Sequence, residues 1–230
     1  MTKSGVKVLG MWASPFSIKV QMSLLLKCVD YEFIEEDILN KSDRLLEANP
    51  VYKKTPVLIH NEKVICESGI IVEYVDDVWT NAPTTILPSD PYDRAMARFW
   101  AAYVDKLYPC MRTVLYSDGD EAKKTAGLED ATQVLVTLED AFIKCSKGKN
   151  FFGGDEIGYT DITLGSYLTW IRLLENFGNI TLIDESKTPN LSRWAQHFSA
   201  VDIVKDVLPE TDKLMEFGNA FAAKLKANKF

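Results

Sequence analysis

The apolar positions of this chain change their spacing once, and the change divides it in two. From Val6 to Trp79, short strand-like runs alternate with helical ones. Val6 to Met11 (VKVLGM) has the pattern of a strand, and Phe16 to Lys27 (FSIKVQMSLLLK) that of a helix. Tyr31 to Glu36 (YEFIEE) roughly alternates apolar and acidic residues, and a short polar helix is expected around Asp43 to Glu47. Val57 to His60 and Lys63 to Cys66 read as brief strands separated by Asn61-Glu62, the length of a tight hairpin. A helix from about Ser68 to Trp79 closes the series. The order is β-α-β-α-β-β-α. A helix joins the first two strands and makes them parallel; a hairpin makes the last two antiparallel.

Asn81 to Pro91 (NAPTTILPSDP) is rich in proline and turn formers and reads as a linker. Beyond it the spacing is helical throughout. Met96, Phe99, Trp100, Tyr103, Leu107 and Met111 fall in one stripe, and Ala131, Leu135, Leu138 and Phe142 in another. Further helices are expected at 160–176, 190–200 and 210–227. The fold class is therefore α/β plus all-α: a domain over residues 1–80, a linker over 81–91 and an all-helical domain over 92–230. Gly158 and Asp161 mark a helix start, where the Asp161 carboxylate can accept the Gly158 backbone N–H.

Composition narrows the function. At 230 residues and 47% apolar, the chain can bury one large core or two modest ones. A net charge of −7 argues against a nucleic-acid binder, which needs clustered Lys and Arg. No run approaches the ~20 apolar residues of a membrane helix. The N-terminal MTKSGVKVLG lacks the apolar core of a secretory signal, so a soluble intracellular protein is expected. Cys28, Cys66, Cys110 and Cys145 are scattered without a C-x-x-C and read as small core residues. With only His60 and His197 available, neither a multi-histidine metal site nor a histidine-based triad is supported.

The candidate chemistry begins at Ser14, in Trp12-Ala13-Ser14-Pro15-Phe16, where a strand hands over to a helix. A hydroxyl there either caps the helix or, beside the first helical N–H groups, stabilises a bound anion such as a thiolate. Thr55-Pro56 opens the third strand. A trans bond would mark a strand edge, whereas a cis bond would turn the preceding backbone outward to pair with an extended peptide. Ser68, after Glu67, is an expected N-cap at which free N–H groups suit a ligand carboxylate. Lys41 and Lys54 offer ammonium groups to a second carboxylate. Together these describe a site for a small peptide with a central thiol and a carboxylate at each end, and glutathione fits it.

The sequence resembles a plant tau-class glutathione transferase through SPF (Ser14 to Phe16), NKS (Asn40 to Ser42), NPVYKKTPVLIHNEK (Asn49 to Lys63), CES (Cys66 to Ser68), ARFW (Ala97 to Trp100) and FFGGDEIGYTDI (Phe151 to Ile162). The resemblance implies a thioredoxin-like N-terminal domain, a helical C-terminal domain and a cytosolic homodimer. It implies an enzyme of class EC 2.5.1.18, acting in detoxification and stress response, that conjugates glutathione to small hydrophobic electrophiles. Glutathione is then the co-substrate, with no metal or other cofactor and no nucleic-acid or membrane partner. It makes Ser14 the catalytic hydroxyl that stabilises the thiolate. Pro15 and Asn40 border the glutathione, Lys41 and Lys54 hold its glycine carboxylate, Thr55 before Pro56 pairs with its cysteinyl part, and Glu67 and Ser68 take its γ-glutamyl end.

The same resemblance places the electrophile among Phe16, Tyr108, Met111, Arg112, Leu115, Trp170, Phe217 and Phe221. For each of these, core packing is the alternative reading. Arg112, a cation on an apolar stripe, would meet an anionic substrate or pair with a neighbouring acid. Two residues depart from the family's habit. Thr55 stands where Ile or Val is usual. Gly69 stands where a larger residue is usual, which lowers helix propensity by roughly 1 kcal/mol. A serine rather than a cysteine at position 14 implies conjugation rather than thiol transfer. The rival readings are a glutathione-dependent peroxidase and a non-catalytic carrier of hydrophobic ligands. In the expected homodimer, Arg94 and Arg98 would meet Glu73, Asp76 or Asp77 of the other copy.

Overall fold

The computed structural model describes residues 5–227. Four strands, β1 (Val6–Gly10), β2 (Glu32–Glu35), β3 (Val57–His60) and β4 (Lys63–Cys66), form one sheet in the order β2-β1-β3-β4. β1 is parallel to β2 and antiparallel to β3, with Leu9 opposite both Ile34 and Val57. β3 and β4 pair antiparallel with Val57 opposite Cys66. Asn61 and Glu62 link them with φ of 47° and 68°, the positive pair that a two-residue turn uses to match the twist of its strands.

Alternation along the strands assigns their two faces. Val6 and Val8 of β1 and Leu58 of β3 pack against α1 (Pro15–Leu26) and α3 (Ser68–Val78) through Val20, Leu24, Ile71 and Val75. Leu9 and Val57, on the other face, pack against Leu45 of α2 (Asp43–Ala48). α1 opens on Pro15, at a position whose missing N–H would have had no helical partner.

Helix α3 corrects one expectation. Its N-cap is Glu67, at φ 71°, and Ser68 is the first helical residue rather than the cap. The chain leaves β4 through this left-handed residue and enters the helix one position early. Gly69 is there for space. A Cβ would lie 2.8 Å from the Tyr159 hydroxyl, which donates to the Gly69 carbonyl at 3.2 Å. The low-propensity residue therefore serves a tertiary contact, and the helix starts in spite of it.

The rest is helical: α4 (Pro91–Val104), α5 (Leu107–Leu115), α6 (Glu121–Ser146), α7 (Tyr159–Ser166), α8 (Leu168–Gly178), α9 (Pro189–Ala200), α10 (Asp202–Lys205) and α11 (Thr211–Ala227). Two runs expected to be continuous are broken. The Met96–Met111 stripe divides at Asp105 and Lys106, where Lys106 donates to Tyr103 and Tyr108 to Asp105 in tight three-residue bonds. The 160–176 segment divides at Tyr167, which donates to Leu164 at 3.0 Å. Such breaks shift the apolar stripe too little for spacing alone to reveal them.

Three buried carboxylates organise backbone. Asp161 accepts the N–H groups of Phe152, Gly153 and Gly158 and the indole of Trp194, all within 2.9 Å. The cap predicted between Asp161 and Gly158 is thus present and has three further donors. Burial nevertheless pushes the Asp161 carboxyl up to about 6. Glu139 of α6 accepts the Asn190 and Leu191 amides at the start of α9. Asp76 accepts the Ile86 and Leu87 amides and pairs with Lys27 at 2.7 Å, while Lys27 also donates to the Thr84 carbonyl. The proline-rich segment is thereby fixed to α1 and α3. Ile18 and Met22 of α1 join the main core of the helices, so one apolar cluster runs from the sheet side into the helical part.

One further expectation fails and another is narrowed. Cys110 alone of the four cysteines is buried; Cys66 and Cys145 are half-buried and Cys28 is exposed, at a left-handed helix end with φ 55°. Arg98 pairs with Glu73, and Arg94 lies 3.9 Å from Asp77, all within one chain. Asp76 is buried with Lys27. Each of these acids has a cationic partner within the chain, and of the three only Asp76 is too buried to face another copy.

Candidate functional site

The sheet register brings the candidate segments to one edge. β1 ends toward Ser14, β2 runs parallel to it and ends toward Asn40 and Lys41, β3 begins just after Thr55-Pro56, and β4 ends at Glu67-Ser68. The N-termini of α1 and α3 lie at this same edge, and helix N-termini favour negative charge. The Thr55–Pro56 peptide is cis. Thr55 lies beyond Val57, the last residue of β3 paired with β1, so its backbone is outside the ladder. Lys41, Lys54 and Glu67 are exposed, Asn40 likewise, while Pro56 and Ser68 are buried. The Lys54 carbonyl is held at 3.0 Å by Asn49, itself buried.

Ser14 sits at the N-cap of α1, 7% exposed, and its hydroxyl caps none of the helix amides. The capping reading of this residue therefore fails and the hydroxyl is available to a ligand. The turn beneath it is tightly held. The Ser14 N–H donates to the Met11 carbonyl at 2.9 Å, the Met11 N–H to the Ser17 hydroxyl at 3.1 Å, and the Trp12 N–H to both oxygens of Glu35 at 3.2 Å. The Ala13 carbonyl accepts the Trp170 indole N–H at 2.7 Å. Burial raises the Glu35 carboxyl above its ordinary range, partly offset by the Trp12 N–H.

Two aromatic groups are built on the residues that flank Ser14 in sequence, Trp12 and Phe16. On one side Phe16 packs edge-on to Tyr108 at 5.0 Å and Tyr167 at 6.2 Å. The Arg112 guanidinium lies against the rings of Tyr108 and Tyr116, at 5.9 and 5.3 Å. Among the described residues Arg112 forms no ion pair, so its pairing with a neighbouring acid is not found. On the other side Trp12 meets Phe217 edge-on at 5.4 Å, and Phe217 stacks on Phe221 at 5.5 Å. A cavity of about 250 Å³ opens here, lined by Trp12, Glu35, Asp37, Leu39, Phe217 and Phe221 among others.

The predicted electrophile residues thus divide between these two groups and the core. Met111 and Trp170 are buried, and Leu115 packs against the same core. Three residues at the site were not foreseen: Trp12, Glu35 and Lys213. Trp12 could have been noticed as the aromatic two positions before Ser14. Lys213, whose ammonium lies 4.7 Å from the Trp12 ring centre, comes from a helix about 200 residues on and carries no local signal.

The chain matches the family models "Glutathione S-transferase, N-terminal domain" over residues 4–77 and "Glutathione S-transferase, C-terminal domain" over residues 93–202. It is 51% identical over 230 residues to glutathione S-transferase U17 of Arabidopsis thaliana, covering 99% of this chain and 100% of that one. The crystallographic structure of the tau class glutathione S-transferase MiGSTU of mango, Mangifera indica, superposes with a TM-score of 0.89 at 51% identity, over 95% of this chain and 99% of the mango chain. Rice GST1, solved in complex with glutathione, superposes with a TM-score of 0.87 at 32% identity, over 97% of this chain and 99% of the rice chain.

Proposed function

The chain belongs to the tau class of glutathione S-transferases, and on that premise we propose that Ser14 is the hydroxyl that holds the glutathione thiolate while it attacks an electrophilic carbon. The protein is a glutathione transferase, EC 2.5.1.18, catalysing conjugation of glutathione. The observation that carries the role of Ser14 is its uncapping hydroxyl at the N-terminus of α1, on the sheet edge shared with Thr55-Pro56 and Glu67-Ser68. The hydroxyl donates to sulfur, and the helix start adds a favourable field, so both lower the thiol pKa. Attack forms a carbon–sulfur bond and expels a leaving group or saturates an activated double bond; the protein binds, orients and activates.

Residues 1–80 bind glutathione, 81–91 link the parts, and 92–230 present the electrophile site. Pro15 and Asn40 border the peptide, Lys41 and Lys54 pair with its glycine carboxylate, Thr55 and Pro56 present backbone to its cysteinyl unit, and Glu67 with Ser68 takes the γ-glutamyl end at the start of α3. The electrophile lies against Phe16, Tyr108 and Arg112 on one side and Phe217 and Phe221 on the other. Met111, Leu115 and Trp170 support these from the core. An anionic group on the electrophile would meet Arg112. Glutathione enters as substrate, and no metal or other cofactor takes part. The protein works in the cytosol; no helix among the described residues is long and apolar enough to cross a membrane.

A homodimer completes the reading. Tyr92, Ala95, Phe99 and Ala102 form an exposed stripe along α4, with Tyr92 71% and Phe99 55% exposed, and Ile70 of α3 is 60% exposed. Such a stripe suits a partner surface. Ser14→Ala tests the central assignment. Glutathione binding should be retained while turnover of chlorodinitrobenzene falls roughly a hundredfold or more, the usual cost of losing one donor to a held anion. Near wild-type turnover at neutral pH would defeat it.

A further inference from the structure

The peptide unit joining Ala13 to Ser14 is pinned at both ends. Its N–H, that of Ser14, donates to the Met11 carbonyl at 2.9 Å. Its C=O, that of Ala13, accepts the Trp170 indole N–H at 2.7 Å, in a fully buried contact between residues 157 apart in sequence. Fixing this plane fixes the direction of the Ser14 Cα–Cβ bond, because the N-cap backbone (φ −78°, ψ 123°) starts from it. Trp170 itself is 6% exposed and packs within the main core. One turn earlier, at the break between α7 and α8, Tyr167 donates to the same Asp105 carboxylate that receives Lys19 of α1. The α7–α8 junction therefore grips α1 at its start and again further along.

We infer that Trp170 is a positioning residue for the Ser14 hydroxyl, acting through the Ala13 carbonyl, rather than a contact for the electrophile. The inference rests on the reading of Ser14 given above. Without the indole donor the Ala13–Ser14 plane can rotate, and the hydroxyl loses its fixed approach to the sulfur. The electrophile site, built from other side chains, keeps its affinity. A small misplacement near the reacting atoms is enough to show in turnover.

Two substitutions separate hydrogen bonding from packing. Trp170→Phe fills much of the space and has no donor. Trp170→His fills less but keeps a ring N–H, since its Nε2 occupies the same place in the five-membered ring as the indole Nε1. The readouts are the pKa of the bound glutathione thiol, followed by thiolate absorbance, and the kcat and KM for the electrophile. Trp170→Phe should raise the bound thiol pKa by about one unit and lower kcat about tenfold in mildly acidic buffer, with KM for the electrophile within about twofold. Trp170→His should lie closer to wild type in thiol pKa although it packs worse and melts lower.

An unchanged thiol pKa in Trp170→Phe, a rise confined to the electrophile KM, or a His variant worse than Phe in thiol pKa would each overturn the inference. Ser14→Ala is titrated beside them. A raised pKa there with none in Trp170→Phe sinks the role of Trp170 alone. An unchanged pKa in Ser14→Ala sinks the reading of Ser14, and the role of Trp170 with it.

Discussion

Removing Asp105 should damage this protein far more than removing the lysine it pairs with. Lys19 lies on α1 with its side chain 2% exposed, and its ammonium meets both oxygens of Asp105, at 3.0 and 3.3 Å. The Asp105 side chain is 39% exposed and also accepts the Tyr167 hydroxyl at 3.1 Å. Asp105→Ala would leave an ammonium and a phenol buried without an acceptor. An uncompensated buried charge costs about 3–5 kcal/mol, and an unsatisfied hydroxyl about 1–3 more. Deprotonation of Lys19 limits the first figure. From an unfolded pKa of about 10.4, releasing the proton at pH 7 costs about 4.6 kcal/mol.

That limit has a signature. Once Lys19 is neutral in the folded variant, the unfolded chain holds one more proton than the folded one, so stability rises with pH by about 1.4 kcal/mol per unit until about pH 10. Burial already lowers the Lys19 pKa in the wild type, with Asp105 opposing it. Lys19→Met, by contrast, leaves a carboxylate that water can reach and should cost no more than about 1–2 kcal/mol. The double variant should recover most of the loss of Asp105→Ala. Urea unfolding of the three variants at pH 7 and 9 decides the matter. If Lys19→Met proved the more damaging single change, or if the cost of Asp105→Ala did not shrink at the higher pH, the reasoning would be refuted.

Other outcomes follow from the same structure. Asp161→Asn should cost about 2–6 kcal/mol, because its amide turns N–H groups toward at least two of the four donors that the carboxylate now satisfies. With the Asp161 carboxyl at about 6 in the fold against about 3.9 unfolded, its contribution is full below about pH 4 and is lost as pH rises through 6. The stability gap between wild type and Asp161→Asn should therefore narrow from pH 5 to pH 8 in denaturant titrations. Phe99→Asp, on the exposed stripe of α4, should shift light-scattering mass from twice 25.9 kDa to 25.9 kDa at micromolar concentration. A mass unchanged by that substitution would remove the stripe from the interface.

The sheet was legible because its signals are local. Short strand-like runs marked all four strands, Asn61-Glu62 supplied the positive-φ turn, and both hairpin strands fall at the residues the pattern assigned. The Asp161 cap could be read for the same reason, its partner Gly158 being three residues away. What spacing could not carry was any contact made by one residue across the fold. Lys19 sits in an apolar run with nothing nearby to explain it; its partner Asp105 is 86 residues on and ends a helix that periodicity would have continued. Gly69 looked like a weak helix start because the Tyr159 hydroxyl that excludes a side chain comes from position 159. Ser68 looked like a cap because the left-handed turn at Glu67 leaves no mark in a residue type that seldom adopts it. Trp170 was readable as an aromatic at the site but not as the donor to Ala13. The site's backbone was thus visible from its own segments, and its supports were not.

The most direct measurement is a crystal structure of this protein with glutathione bound. The sulfur should lie within about 3.5 Å of the Ser14 Oγ, at the start of α1, with the γ-glutamyl end at Glu67 and Ser68. The glycine carboxylate should lie toward Lys41 and Lys54. A sulfur directed away from Ser14, with that hydroxyl turned to another partner, would contradict the account at its centre.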